Sequence, residues 1–298
     1  MKPAPFTYHR PRSVDDVFGI FDSVGDIDDA KLIAGGQSLV PLMALRLAQP
    51  GHLIDLNGLA GELDLIEPAP GVLRIGALTR QRAAERSQAV ADRCPLLAEA
   101  LTYVAHPAIR NRGTVGGSLA HADPAAELPA VALALDAEFT VRGGDGTRRI
   151  PAIDFFHGLM TTAIEPGEIL QRIDLPALAA GSGTAFVEVS RRHGDFAMVG
   201  AAAVVTVIDR RFADARLALS GVASTPVRAV AVEKALRGER ADADAVREAA
   251  ALAADGISPP ADPHASSSYR RHAAAVTAAR ALILALDRAT RGAVHGTH

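Results

Sequence analysis

Two glycine loops carry the residues of this chain best suited to chemistry: Ala34-Gly35-Gly36-Gln37-Ser38 and Thr114-Val115-Gly116-Gly117-Ser118. Each interrupts an apolar run where the backbone must turn and present its N–H groups. Glycine suits that task because it tolerates positive φ and lets a ligand come up against the main chain. A turn of this kind at the start of a helix favours an anion such as phosphate. Two such loops, far apart in sequence, point to one extended anionic ligand held at two places. The Ser38 hydroxyl and the Gln37 amide add further hydrogen-bonding groups to the first loop. On spacing alone, a tight strand-to-helix turn with no ligand accounts for that loop equally well.

The second loop sits in a long polar stretch from His106 to Glu127. Long irregular segments inside compact domains are usually functional. Arg110, Asn111, Thr114 and Ser118 are donors for phosphate or polyol oxygens, and Asp123 or Glu127 can accept from a ribose or ribityl hydroxyl. The arginines also fit as plain surface residues, and Asp123 fits equally as a helix cap. The first loop is not a Walker loop, because no lysine precedes Ser38, and it is not a Rossmann fingerprint, because the third glycine is missing. His121, Asp123 and Glu127 lack the paired spacing of a metal site, so no metal is expected. No G-x-S-x-G elbow or Ser-His-Asp arrangement is signalled. Cys94 is the single cysteine, too few for an iron–sulfur cluster, which takes about four thiolates.

The loops need elements to position them. Ser13 and Asp16 form a capping box before a helix whose apolar residues Val17, Ile20, Phe21 and Val24 recur at helical spacing, with Gly25 as its stop. A short strand at 31–34 runs into the first loop, Ser38 caps a helix over 39–48, and a strand resumes at 53–56. That is a parallel crossover unit. Short strands follow through 63–79, then helices over 80–91 and 96–105. After the second loop a helix is expected over 124–135, with Asp123 as cap and Pro124 in its first turn. Strands at 137–142 and 169–175 close the region. A boundary near 177–183, rich in small residues, precedes three antiparallel strands at 184–192, 198–208 and 213–220. Three helices finish the chain, over 225–238, 242–254 and 269–290.

The chain has 298 residues, so two or three compact units are expected. Its net charge of −3, from 31 basic against 34 acidic residues, argues against a nucleic-acid or anionic-membrane partner. Its composition, 49% hydrophobic and 22% charged, is that of an ordinary globular protein. No signal-peptide pattern opens it, and no stretch approaches the ~18 apolar residues of a transmembrane segment. The expected compartment is cytoplasmic.

With these motifs in order, the sequence resembles the FAD-binding medium subunits of the molybdenum hydroxylases, the family of aerobic carbon monoxide dehydrogenase and xanthine dehydrogenase. The resemblance rests on both loops, on Ile109-Arg110-Asn111-Arg112-Gly113 and on His121-Ala122-Asp123-Pro124-Ala125-Ala126-Glu127. It continues through Gly167-Glu168-Ile169-Leu170, Arg191-Arg192-His193-Gly194-Asp195-Phe196-Ala197, Gly221-Val222-Ala223-Ser224-Thr225-Pro226 and Tyr269-Arg270-Arg271-His272. It implies an α+β fold: a two-subdomain, PCMH-like FAD-binding region over 1–177 (subdomains about 1–57 and 58–177). A CO-dehydrogenase-flavoprotein-like domain of a three-stranded antiparallel sheet and helices would follow over 178–298.

The resemblance implies that 34–38 wraps the FAD pyrophosphate and that 114–118 is a second dinucleotide contact. Glu127 or Asp123 would bind a hydroxyl, Leu170 would line the flavin site, and Phe196 would stand near the isoalloxazine ring. Lys31, Leu39, Ile109, Arg110, Asn111, Ile169 and Asp195 complete the implied cofactor set, with no catalytic acid or base. FAD would be bound without a covalent link. The molybdenum cofactor and 2Fe–2S clusters would sit on a large and a small partner subunit, in a dimer of heterotrimers that delivers electrons to an external acceptor. Xanthine-dehydrogenase-like relatives carry a lysine near the flavin where Val187 stands here, so the flavin potential does not transfer. The rival expectations are a self-contained FAD-dependent oxidase or reductase, and a flavin-free binding protein.

Overall fold

The computed structural model describes residues 2–294; the last four residues of the expected C-terminal domain, 295–298, lie outside the described residues. The chain opens with β1 (Thr7–His9), α1 (Val14–Ser23), β2 (Ala30–Ile33), α2 (Leu39–Ala44) and β3 (His52–Asp55). Both β1 and β2 pair parallel with β3, so the expected crossover unit forms. The Ser13 hydroxyl accepts from the Asp16 N–H, and the Asp16 carboxylate accepts from the Ser13 N–H, which makes the capping box real. Val14, Val17, Phe21 and Ile54 form the core of this unit.

The next region contains α3 (Ala60–Leu63), β4 (Ile66–Ala69), β5 (Val72–Gly76), α4 (Gln81–Arg86), α5 (Gln88–Arg93) and α6 (Pro95–Tyr103). It continues with α7 (Pro107–Arg110), α8 (Val115–His121), α9 (Glu127–Ala134), β6 (Glu138–Gly143), β7 (Gly146–Pro151), β8 (Phe156–Gly158), β9 (Thr161–Thr162) and β10 (Ile169–Pro176). Five strands pair antiparallel in the order β4-β5-β10-β6-β7. Their inner face packs on α6, α8 and α9 through Leu73, Ile75, Phe139, Leu101 and Leu128.

The C-terminal region has β11 (Ser182–Val189), β12 (Val199–Ile208), β13 (Arg211–Ser220), β14 (Val227–Arg228), α10 (Val230–Leu236), α11 (Ala243–Ala250) and α12 (Ser267–Val294). Its three expected long strands are antiparallel, and the two-residue β14 joins at one edge. One face of this sheet packs on the helices of its own region; the other presents Phe186, Ala202, Val204 and Ala218 to the preceding region's core. Glu99 on α6 fastens the two, accepting from the Phe186 N–H and from the Arg288 guanidinium on α12.

Several boundaries differ from the sequence expectation for local reasons. The helix expected over 39–48 stops at Ala44, because Arg46 turns left-handed and the Leu47 and Ala48 N–H groups both return to the Leu42 carbonyl. The helix expected over 80–91 breaks at Ser87, whose hydroxyl caps α5. The second loop is largely helical, as α7 and α8, with Thr114 capping the latter. The helix expected from Pro124 starts at Glu127, because the Pro124 carbonyl accepts from the Gly221 N–H of the C-terminal region. Asp123 is therefore not its cap; its carboxylate closes a turn on the Ala125 N–H. Among the described residues, no helix is long and apolar enough to cross a membrane.

Candidate functional site

The first loop leaves β2 and enters α2 with its donors free. The backbone N–H groups of Gly35, Gly36, Gln37, Ser38 and Leu39 donate to no group within the described chain. Ser38 occupies the N-cap position of α2, yet its hydroxyl makes no capping bond. Gln37 instead uses its amide nitrogen inside the loop, on the Gly35 carbonyl at 2.9 Å. A turn fixed from within and still rich in unpartnered donors is an anion cradle.

The second loop behaves differently. Its N–H groups at Val115, Gly116, Gly117 and Ser118 are all bound inside the protein, to Thr79, Ala77, the Thr114 hydroxyl and the Thr114 carbonyl. Gly116 is required by packing, since a Cβ there would lie 2.5 Å from the Ala77 backbone. The loop therefore offers side chains and close approach, and the free N–H groups expected of both loops are found only in the first.

The two loops meet. A Cβ on Gly117 would touch Ala34, and one on Gly35 would collide with the Arg112 carbonyl. A bridge locks them: Asn57 donates to the Ala34 carbonyl at 2.8 Å and accepts from Arg80 at 2.6 Å, while Arg80 also donates to the Arg112 carbonyl. Sequence reasoning missed Asn57 and Arg80, which lie in no motif and act only through the fold.

Together the loops wall a cleft of about 700 Å³ that runs to α9, to Leu170 on β10 and to the turn after β11. That volume lies in the range of cofactor sites, about 300–1,000 Å³. Lys31, Ala34, Gly35, Gly36, Gln37, Ser38, Leu39, Ile109, Thr114, Gly116, Gly117, Ser118, Asp123, Glu127, Leu170, Asp195 and Phe196 all line it. Apolar walls at Leu42, Leu56, Met160 and Ile164, and the Gln81 amide, were not foreseen.

Three expected residues stand elsewhere. Arg110 is buried, bound to Glu85 at 2.8 and 3.2 Å and to the Val104 and Ala105 carbonyls. Its donors hold α7 in place and are not free for a ligand. Asn111 caps the exposed end of α7 outside the cleft, and Ile169 lies in the core of the first unit. Val187 points away too, since it packs against the core shared with α10–α12. Its neighbour Glu188 occupies the other face of the sheet.

Burial dominates the electrostatics at the inner end. It pushes the Glu127 carboxyl up to about 7, helped by the charge of Asp123 and opposed by Arg110. It pushes Glu188 up to about 8, with Glu127 adding to the rise. Burial also raises the Cys94 thiol to about 12, leaving it inert.

Residues 4–178 match the family model of the FAD binding domain in molybdopterin dehydrogenase, and residues 184–285 that of the CO dehydrogenase flavoprotein C-terminal domain. The chain belongs to this FAD-binding family. It is 42% identical to the 6-hydroxypseudooxynicotine dehydrogenase complex subunit alpha of Paenarthrobacter nicotinovorans, over 97% of both chains. It is 39% identical to the carbon monoxide dehydrogenase medium chain of Hydrogenophaga pseudoflava, over 95% of this chain and 97% of that one. A solved structure of the Hydrogenophaga pseudoflava enzyme, lacking the Mo-pyranopterin moiety of its cofactor, superposes with a TM-score of 0.93 at 41% identity, over 97% and 99% of the two chains. Quinoline 2-oxidoreductase from Pseudomonas putida 86 gives 0.92 at 38%, with the same coverage.

The family's FAD fits what lines this cleft. Five unpartnered amides and the Ser38 hydroxyl suit a pyrophosphate. The Gln81 carbonyl oxygen, buried on the cleft wall without a partner, suits a donor on the ligand. Apolar side chains along the remaining wall suit the rings.

Proposed function

We propose that this chain is the FAD-bearing electron-transfer subunit of a heterotrimeric molybdenum hydroxylase. The observation that carries the reading is the run of free amides from Gly35 to Leu39, opening on a cleft that two locked loops shape. Bound FAD supplies the redox chemistry, relaying electrons from 2Fe–2S clusters of a small subunit to an external acceptor; the protein supplies binding, orientation and electrostatics. The first loop holds the pyrophosphate, and Ser38 and Ser118 add hydroxyl donors. Asp123 and Glu127 face the ribityl or ribose hydroxyls, while Leu170 and Phe196 flank the ring system.

The large subunit would carry the molybdenum cofactor and oxidise the substrate. One inert cysteine, Cys94, leaves this chain without cluster ligands, which supports placing the clusters on another subunit. The assembly would be a dimer of heterotrimers in the cytoplasm. Within the chain, residues 1–177 would form the FAD-binding domain, with subdomains meeting near residue 57, and 178–298 the second domain.

Reconstitution with FAD and native mass spectrometry test the reading together. The expected results are flavin absorbance with quenched fluorescence, and a complex with two further subunits. Substrate turnover by the isolated flavinated chain would favour a self-contained oxidase or reductase instead. Absence of any flavin signal would overturn both.

A further inference from the structure

Glu127 closes the inner end of the cleft at the first turn of α9, only 5% exposed. Its carboxyl has no hydrogen-bond partner beyond its own backbone N–H. Behind it, across the boundary with the C-terminal sheet, Glu188, Gly200 and Ser220 pair side by side on β11, β12 and β13. They belong to the same face as Phe186, Ala202 and Ala218, which packs on α6 and α9. Two atoms in this row, a Glu188 carboxyl oxygen (Oε2) and the Ser220 hydroxyl, are buried without a partner. Gly200 lies between them, and its Cβ position is closely surrounded, 2.5 Å from the Ser220 oxygen, 3.3 Å from the Phe186 ring and 3.8 Å from the Glu188 Cβ. The Pro124 carbonyl accepts from the Gly221 N–H at 2.7 Å, which brings the segment leading into Glu127 against the end of this row.

The surroundings hold little to neutralise two carboxylates. Asp123 and Arg110 face Glu127 with opposing effects, and Glu127, Tyr103 and Ser190 face Glu188. Lys31, His121, Glu168 and Asp195 stand on the other cleft walls. Glu168 is already bound to Arg148. Two poorly solvated acids that repel each other do not ionise together, and their protons leave in two steps that belong to the pair.

We propose that Glu127 and Glu188 act as one proton-holding pair that keeps the inner end of the cleft uncharged when it takes up a pyrophosphate-bearing cofactor. Glu127 faces the ligand; Glu188 is a positioning residue that acts through it. The proposal rests on the FAD reading of the cleft. A carboxylate on Glu127 repels a dianionic pyrophosphate, so the pair links cofactor retention to pH. Both groups titrate above the ordinary carboxylate range, so they are neutral on the acidic side and become charged as pH rises.

The test is FAD affinity of the full chain from pH 5.5 to 9, read by flavin fluorescence quenching. Affinity should weaken above about pH 7, by up to about tenfold per pH unit at the steepest, with a second step near 8. Glu127→Gln should remove the first step and draw the second to lower pH. Glu188→Gln should remove the second alone, and the double variant should be flat. Glutamine mimics the protonated carboxyl in shape, so the fold is retained. A wild-type profile in both single variants overturns the proposal.

Failure to bind FAD at any pH would overturn the cofactor reading instead, and infrared spectroscopy of the ligand-free chain then decides the pair. A protonated-carboxyl band at pH 6 should shrink in each single variant. A band unchanged by either substitution overturns the pair.

Discussion

Gly35 of the first loop lies against Arg112 of the second, so closely that a Cβ on Gly35 would overlap the Arg112 carbonyl oxygen. The glycine is therefore required by the meeting of the loops as well as by any ligand. Gly35→Ala must push the loops apart or strain both, at about 1–3 kcal/mol for an overpacked contact. Loss of bound FAD together with a lower melting temperature is the expected outcome. A variant that melts like the parent and loads FAD normally would refute the contact.

Ser38 separates binding from folding. Its hydroxyl caps nothing, so Ser38→Ala should leave the apo-protein's thermal stability unchanged. A hydrogen bond to a charged group is worth about 1.5–3 kcal/mol, so FAD should bind roughly tenfold to a hundredfold more weakly. Fluorescence titration measures the affinity and calorimetry the stability. Valine at Gly36 would be a poorer probe, because φ is +72° there and any side chain strains the turn.

What the sequence made legible was local. Ser13 and Asp16 cap α1 because both partners lie within one turn, and both glycine loops stand where their apolar flanks placed them. What escaped depends on distance or on direction. Asn57 and Arg80 bridge loops that only the fold brings together. The difference between the loops lies in where their N–H groups point, and residue type does not encode that. Strand β7 went unforeseen because its exposed Arg148 and Arg149 hide any apolar alternation at a sheet edge. The family resemblance sets Val187 at a flavin-adjacent position, yet strand alternation turns it toward the core shared with α12 and gives Glu188 the opposite face.

Arg110 has the composition of a phosphate ligand and the environment of a structural ion pair. Burial alone would raise the Glu85 carboxyl, but hydrogen bonds from Arg110 and Arg82 outweigh it and hold the acid below its ordinary 4.5. Removing one partner of a buried pair costs about 3–5 kcal/mol. Arg110→Ala should thus lower the melting temperature sharply. A depressed carboxyl stabilises the fold above its unfolded pKa, and that contribution fades as pH falls below about 4.5. The variant should lose this part of the acid sensitivity. An Arg110→Ala protein of unchanged stability but weakened FAD binding would restore the arginine to the ligand set.

Phe196 offers the sharpest reading of the cleft mouth. Its ring is 65% exposed, lines the cleft and stacks on no other aromatic of the described chain. The turn that carries it is seated by Gly194, where a Cβ would lie 2.5 Å from the His106 ring, and by His193 stacked on Tyr103. Removing the Phe196 side chain therefore leaves the seat intact, and stability should change by no more than about 0.5 kcal/mol. If the ring covers the isoalloxazine, Phe196→Ala should make bound flavin brighter and more accessible to a collisional quencher. Unchanged flavin fluorescence and quencher accessibility would place the ring system at another part of the cleft, away from the turn after β11.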